Sequence, residues 1–236
     1  MSEIHLVENF NTLIQNVRFG PCIYVGALGF EDRCLGALND TLKIENLKAL
    51  FYFITLGGQR DVRGHKERNA KQRYNLQKLK IACKSRPLDI LECPLSNPEC
   101  AIEAAVLKLK DFHDCNLILD FSTMPKSVFF PLFQQLWKTQ NTNIIAVYSL
   151  PIEYSSDALF YETDKPKLIA GFHGKPIDNS LPGAWIPTLG FEGQIAVEIM
   201  KWGGFDKVFP IISFPGYRAT YVDRVVHANL ELLSFS

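Results

Sequence analysis

Residues 115–127 read CNLILDFSTMPKS, and this stretch decides the fold. Leu117, Ile118 and Leu119 follow one another without a polar residue between them, so the predicted strand Asn116–Phe121 is apolar on both faces. Such a strand needs a helix over each side, which is the condition of a parallel sheet in an α/β protein. The polar run behind it reads as the turn into the next helix. Ser122 or Thr123 is expected to cap that helix, and Pro125 suits a first turn, where no amide hydrogen is required. Asp120 closes the strand. Lys126 falls in the first helical turn, where a cation opposes the helix dipole unless an anion lies between it and the backbone amides.

Working outward, the same alternation extends over the first 150 residues. Strands are predicted at Cys22–Ala27, Leu50–Leu56, Leu88–Cys93 and Asn143–Leu150, besides the one already named. Helices are predicted near Arg33–Leu42, Glu67–Lys84, Pro98–Phe112 and Ser127–Thr139. The expected fold is therefore α/β, with a Rossmann-like, mostly parallel sheet and flanking helices. After Leu150 the rhythm changes. ALFYETDKPKLIAGF, residues 158–172, suggests a hairpin turning at 164–166, and a Gly- and Pro-rich loop runs from 173 to 183. Strands at Ala184–Leu189 and Lys207–Ser213 then alternate with helices at Glu192–Trp202 and Ala219–Leu233. The expected organisation is a Rossmann-like domain over 1–150 and a smaller α/β lobe over 151–236, packed on the first.

In open parallel sheets ligands bind beyond the carboxyl ends of the strands, at the point where the strand order reverses. Three predicted strand-end loops are polar. In Gly26–Arg33, glycines allow close backbone approach and the following helix offers free N–H groups. Glu31 and Asp32 suit the dipole as plain capping charges, whereas Arg33 opposes it and reads as a ligand contact. In Asp120–Ser127, Ser122, Thr123 and Lys126 read as anion contacts, and the competing reading is a capped helix with a solvated lysine. The third loop is Thr55–Arg63, TLGGQRDVR, which opens the basic stretch Gln59–Arg86: ten Lys and Arg against Asp61 and Glu67. Leu76, Leu79 and Cys83 give its helix an ordinary apolar stripe, so a solvated basic face is expected and tight nucleic-acid binding is not. The pair Arg60 and His65 has the spacing of a ribonuclease motif of paired helices, but here it follows a strand and reads as coincidence.

Leu28-Gly29-Phe30-Glu31 recurs as Leu189-Gly190-Phe191-Glu192, each leaving a predicted strand for a predicted helix. Either glycine relieves a turn while phenylalanine packs the helix down, or two equivalent loops serve a ligand; both readings stand. Farther on, Arg218, Tyr221 and Arg224 lie close to one helical face and could clamp a phosphate or stack on a base. There is no G-x-G-x-x-G fingerprint and no phosphate-loop lysine. The six cysteines form no C-x-x-C pair and have no histidine at ligand spacing, so reduced structural thiols and no metal or cofactor are expected. Balanced charge, 25 basic against 25 acidic residues, steers the chain toward neither nucleic acid nor membrane. With no signal-like start and no spanning stretch, a soluble cytoplasmic protein is expected.

The loops Leu28–Glu31 and Ser122–Lys126 resemble those of the CRISPR-associated Rossmann-fold (CARF) sensor domains of prokaryotic immunity. Where that family commonly has paired glycines, this chain has Met124 and Pro125. The resemblance implies a ligand sensor in antiviral defence whose pocket for cyclic oligoadenylates is usually formed across a dimer. A homodimer or a protein partner accords with it. The leading expectation is a Rossmann-like binding protein for a nucleotide or another phosphorylated ligand, with Gly29, Arg33, Ser122, Thr123, Lys126, Gly190 and Arg218 as contacts. The alternative is a nucleotide-directed hydrolase or transferase using Asp120 or Glu31 as general base.

Overall fold

A computed structural model describes residues 9–16, 20–56, 65–94, 97–112, 114–139, 143–151, 168–172, 182–216 and 218–234. Residues 158–167 of the predicted hairpin, most of the loop at 173–183, and residues 57–63 of the third polar loop lie outside these; the described part of the hairpin, 168–172, forms no strand. The chain divides into two compact units, one made of 1–152 with 169–171, the other of 153–168 with 172–236.

The first unit is built on five parallel strands: β1 (Cys22–Leu28), β2 (Leu47–Leu56), β3 (Leu88–Pro94), β4 (Asn116–Asp120) and β5 (Ile144–Val147). Their order is β3-β2-β1-β4-β5, so the chain winds outward from β1 to one edge and returns to build the other side from β4. The register sets Cys22 beside Asn116 and Val25 beside Leu119. Alternation along the strands sorts the core onto two faces. Ile23, Val25, Phe51, Phe53, Leu117 and Leu119 pack under α4 (Pro98–Leu109) and α5 (Lys126–Thr139). Tyr24, Leu50, Tyr52 and Ile118 face the other way, where Leu79 of α3 (His65–Ala82) and Leu38 of α2 (Leu38–Thr41) cover them. A short α1 (Phe10–Asn16) adds Phe10 and Ile14 to that side. The α/β class and parallel sheet read from CNLILD are those of the protein.

Several element bounds need correction. The predicted helix Arg33–Leu42 is a 3-10 turn, Asp32–Leu35, followed by the single turn of α2. Gly36 joins them where a Cβ would lie 2.4 Å from Ser149 Oγ, so these short turns press against the chain beyond β5. β5 stops at Val147 rather than Leu150. α4 begins at Pro98, where it is expected, and Asn97 caps it, with Oδ1 accepting the Cys100 amide at 3.4 Å.

The second unit is a small βαβα arrangement: β6 (Ala184–Trp185), α6 (Gly193–Gly203), β7 (Lys207–Val208), α7 (Ala219–Ala228) and α8 (Leu230–Leu233). β6 and β7 pair in parallel, and a single bridge from Thr188 to Ile211 continues them. The strands are thus shorter than Ala184–Leu189 and Lys207–Ser213. The predicted final helix divides at Asn229, whose amide donates back to Val225 O at 2.7 Å. Leu189, Val197, Val225 and Leu232 form its own core.

Candidate functional site

The reversal of strand order lies between β1 and β4, so the carboxyl ends of these two strands form the crevice in which a parallel sheet offers backbone to a ligand. Asp120, the last residue of β4, shares a face with Ile118, and this alternation turns it toward the polar side of the core. It is 2% exposed. Tyr24 of β1 donates its hydroxyl to Asp120 Oδ2 at 2.5 Å. The Ser122 amide donates to Oδ1 at 2.9 Å, and the Ser122 hydroxyl donates to the same oxygen. Ser122 Oγ in turn accepts the Ser149 amide at 2.7 Å, which extends the network to the chain beyond β5.

Burial pushes the Asp120 carboxyl above the ordinary carboxylate range. Its hydrogen bonds from Ser122 and Tyr24, and the charge of Arg33, pull the other way. Tyr24 is held neutral by burial first, then by Tyr52 and the Asp120 charge. Tyr52 packs 5.4 Å from Tyr24, centroid to centroid, and both side chains are fully buried. Burial likewise pushes the Cys34 thiol to about 11, which leaves it a small apolar residue and not a nucleophile.

The two loops of the crevice touch. Thr123 donates its hydroxyl to Ala27 O at 2.7 Å, and a Cβ on Gly29 would meet Thr123 Cβ at 3.6 Å. Ser122 and Thr123 are therefore occupied in tying β4 to β1 and to the chain after β5, and neither caps α5 as expected. α5 starts at Lys126, which is exposed at its first position. The Gly29 carbonyl is held from above by Asn75 Nδ2 of α3 at 3.1 Å.

Arg33 is held by two neighbours. Its Nε donates to Glu31 Oε2 at 2.6 Å and its Nη1 to the Tyr148 hydroxyl at 2.8 Å, with the guanidinium 5.5 Å from the Tyr148 ring centre. Because it follows Glu31 into a 3-10 turn, no α-helix dipole opposes it; the adjacent carboxylate balances it. Tyr148 stacks on Phe121 with centroids 5.3 Å apart. Arg33 and Glu31 thus close the β1 loop onto the end of β5.

Asp120, Ser122, Thr123 and Gly29 come together at one crevice, and Lys126 begins the helix that leaves it. Gly190 and Arg218 belong to the second unit. There Arg218 lies 5.9 Å from the Tyr221 ring centre, Tyr221 meets Phe191 edge-on at 5.1 Å, and Gly190 O accepts the Asn229 amide at 2.8 Å. The basic stretch behaves as its apolar stripe implied: Leu79 and Cys83 are buried, while Lys66, Lys71, Arg73 and Lys80 are exposed. A shallow groove of about 230 Å³ between the 3-10 turn, α2 and α3 is lined by Asp32, Leu35, Asn39 and Lys78. Among the described residues there is no cluster of three or more potential metal ligands, and no helix long and apolar enough to cross a membrane. Cys22, Cys34, Cys83, Cys100 and Cys115 are free thiols.

Tyr24, Asn75, Tyr148 and Asn229 are the residues that sequence reasoning passed over. A tyrosine inside a strand buried on both faces carries its own signal, since its hydroxyl needs a partner in the core.

Fold and crevice together define a Rossmann-like α/β protein. No protein-family model matches the chain, and no curated protein is similar to it. A solved structure described as a universal stress protein in complex with cAMP is similar over 54% of this chain and 97% of that chain. The two are 18% identical, with a TM-score of 0.29, a level of likeness from which no ligand is carried over.

Proposed function

We propose that this protein binds a nucleotide or another phosphorylated ligand at the carboxyl ends of β1 and β4, and acts as a sensor or partner-binding component rather than through turnover. The observation that carries this reading is the switch point itself: a crevice between adjacent parallel strands, with an exposed lysine opening a helix of 14 residues directly beyond it. Lys126 and the first amides of α5 supply the positive potential. Gly29 lets backbone approach the ligand, and Asp120 holds the crevice in shape through Tyr24 and Ser122. The loops Leu28–Glu31 and Ser122–Lys126 are also those that resemble CARF sensors, which supports a role in prokaryotic defence, with a homodimer or another protein as partner.

A hydrolase or transferase is the second reading, favoured by one observation: a buried carboxyl with a raised pKa at a switch point is a common sign of a catalytic acid or base. Against it, both oxygens of Asp120 already accept hydrogen bonds, and Glu31 is paired with Arg33.

The test is calorimetric titration with a nucleotide panel, followed by product analysis. Lys126→Ala is expected to weaken binding of phosphorylated ligands at least tenfold with an unchanged melting temperature. Unchanged affinity sinks the site assignment. Asp120→Asn is expected to alter affinity only modestly. Turnover by the wild type that this variant abolishes would establish the enzyme reading instead.

A further inference from the structure

The repeated tetrapeptide is more than a sequence match. Leu28–Glu31 begins at the last residue of β1, the first strand of a parallel pair, and enters the 3-10 turn. Leu189–Glu192 follows the strand continued by the Thr188–Ile211 bridge and enters α6. In each unit the glycine carbonyl accepts a hydrogen bond from an asparagine that follows the second strand of the pair: Asn75 of α3 at 3.1 Å, Asn229 at the end of α7 at 2.8 Å. Both asparagines are 1% exposed. In each unit, too, a guanidinium from that second helix lies over the phenylalanine. Arg68 is 5.0 Å from the Phe30 ring centre, and Arg224 is 4.5 Å from that of Phe191. Four matching residues alone would mean little. The same buried anchor and the same stack, reached from the topologically equivalent helix, make the loops two copies of one device.

The fold does not require either glycine. Among the described residues only Gly171 and Gly204 have the positive φ that favours glycine. A Cβ on Gly190 would meet nothing within 4 Å, and one on Gly29 would make an ordinary van der Waals contact. Glycine loses more chain entropy on folding than alanine does, so an unneeded glycine at a strand end accords with a backbone that a ligand must approach closely.

In the second unit this loop has cationic surroundings. Arg224 and Arg218 are exposed. α6 and α7 both begin without a side-chain cap and without an acidic residue in the first turn, and Glu192 is the single carboxylate of the loop. Asn229, fixed on Gly190 through its amide nitrogen, keeps a buried Oδ1 that has no hydrogen-bond partner among the described residues. We infer that the Gly190 loop, with Arg224 and Arg218, is a binding site for a nucleoside monophosphate, built from residues other than those of the β1–β4 crevice. The guanidiniums and loop amides take the phosphate, and the Tyr221 ring, which stands at 83° to that of Phe191, supplies the aromatic surface for the base, since Arg224 already covers Phe191.

The experiment is calorimetric titration of the full chain carrying Lys126→Ala with each of the four ribonucleoside 5′-monophosphates, and with inorganic phosphate and the free nucleosides as controls. With Lys126 already removed, failure of the crevice reading does not enter the result. At least one monophosphate is expected to bind saturably, more tightly than its nucleoside or phosphate. Adding Gly190→Ala or Arg224→Met should each weaken it at least tenfold with an unchanged melting temperature. The inference is overturned by absence of saturable binding of all four monophosphates, by wild-type affinity in either added variant, or by affinity lost only together with the fold.

Discussion

The two faces of the main sheet are built from the same strands and differ in one respect. The face under α4 and α5 is apolar throughout, from Ile23 and Val25 to Leu119, Val128, Leu132 and Leu136. The face under α2 and α3 encloses Tyr24, Tyr52, Asp120 and Asn75, each almost wholly buried. Polar groups cost free energy in a core unless partnered, so an arrangement that confines them to one side, at one strand end, is bought with hydrogen bonds the other side never needs. The apolar face holds the fold; the polar face holds the crevice loops in place. Substitutions on the two faces should therefore fail in different ways.

The largest effect belongs to the apolar face. Leu132→Ala removes a fully buried side chain of α5 and should destabilise the protein by about 2–5 kcal/mol, the usual cost of such a cavity. Its denaturant midpoint should fall, while the affinity of whatever protein stays folded for a phosphorylated ligand should be unchanged. Affinity lost in step with stability would erase the distinction between the faces.

Tyr24→Phe probes the polar face. It removes the donor to Asp120 Oδ2 and leaves a buried carboxylate short of a partner, which should cost about 1–3 kcal/mol. The pH dependence is the sharper measurement. Because the folded-state pKa of Asp120 is raised, the native state holds its proton to higher pH than the unfolded state does. Stability therefore declines as pH rises from the unfolded carboxylate pKa through the folded one. Losing the Tyr24 bond raises the folded pKa further and extends that window. The deficit of Tyr24→Phe against wild type should be smallest in acid and grow toward neutrality; a constant deficit would mean that the tyrosine contributes packing alone.

These contrasts also explain what could be read in advance. CNLILD declares a buried parallel strand because no polar residue interrupts its apolar run, and the helix that starts at Pro98 is read from the same alternation. Asp120 stands out as a carboxylate ending an apolar run. Its partner Tyr24 does not, since the two are 96 residues apart and only the β1–β4 register brings them together. The surroundings of Arg33 are not legible either: the sequence pattern predicts an α-helix where the chain makes a 3-10 turn, and the hydroxyl that its guanidinium meets, that of Tyr148, is 115 residues away. The strand bounds of the second unit were overdrawn for a related reason. Short apolar runs such as AWIPTL carry strand character, yet Pro187 has no amide hydrogen to donate, so regular strand ends at Trp185 and the bonds from Ile211 N to Pro187 O and from Leu189 N to Ile211 O carry the pairing on to the bridge at Thr188.

The smallest expected change in stability is at Gly29, where the polar face meets the crevice. If the fold alone governed this position, alanine would be accepted: the backbone is not in the left-handed region, and the nearest atom to a new Cβ is Thr123 Cβ at 3.6 Å. Reduced freedom of the unfolded chain should then make Gly29→Ala neutral, or more stable by up to about 1 kcal/mol. For a chain of this size that is a rise of at most roughly 4 °C in melting temperature. Binding should move the other way, because a methyl group at the crevice keeps a phosphate from the loop backbone. A variant equally stable, or more so, with weakened affinity separates the role of this loop from that of the core beneath it. A melting temperature lowered by several degrees would mean instead that Gly29 is there for packing against Thr123, and the β1 loop would lose its place in the site.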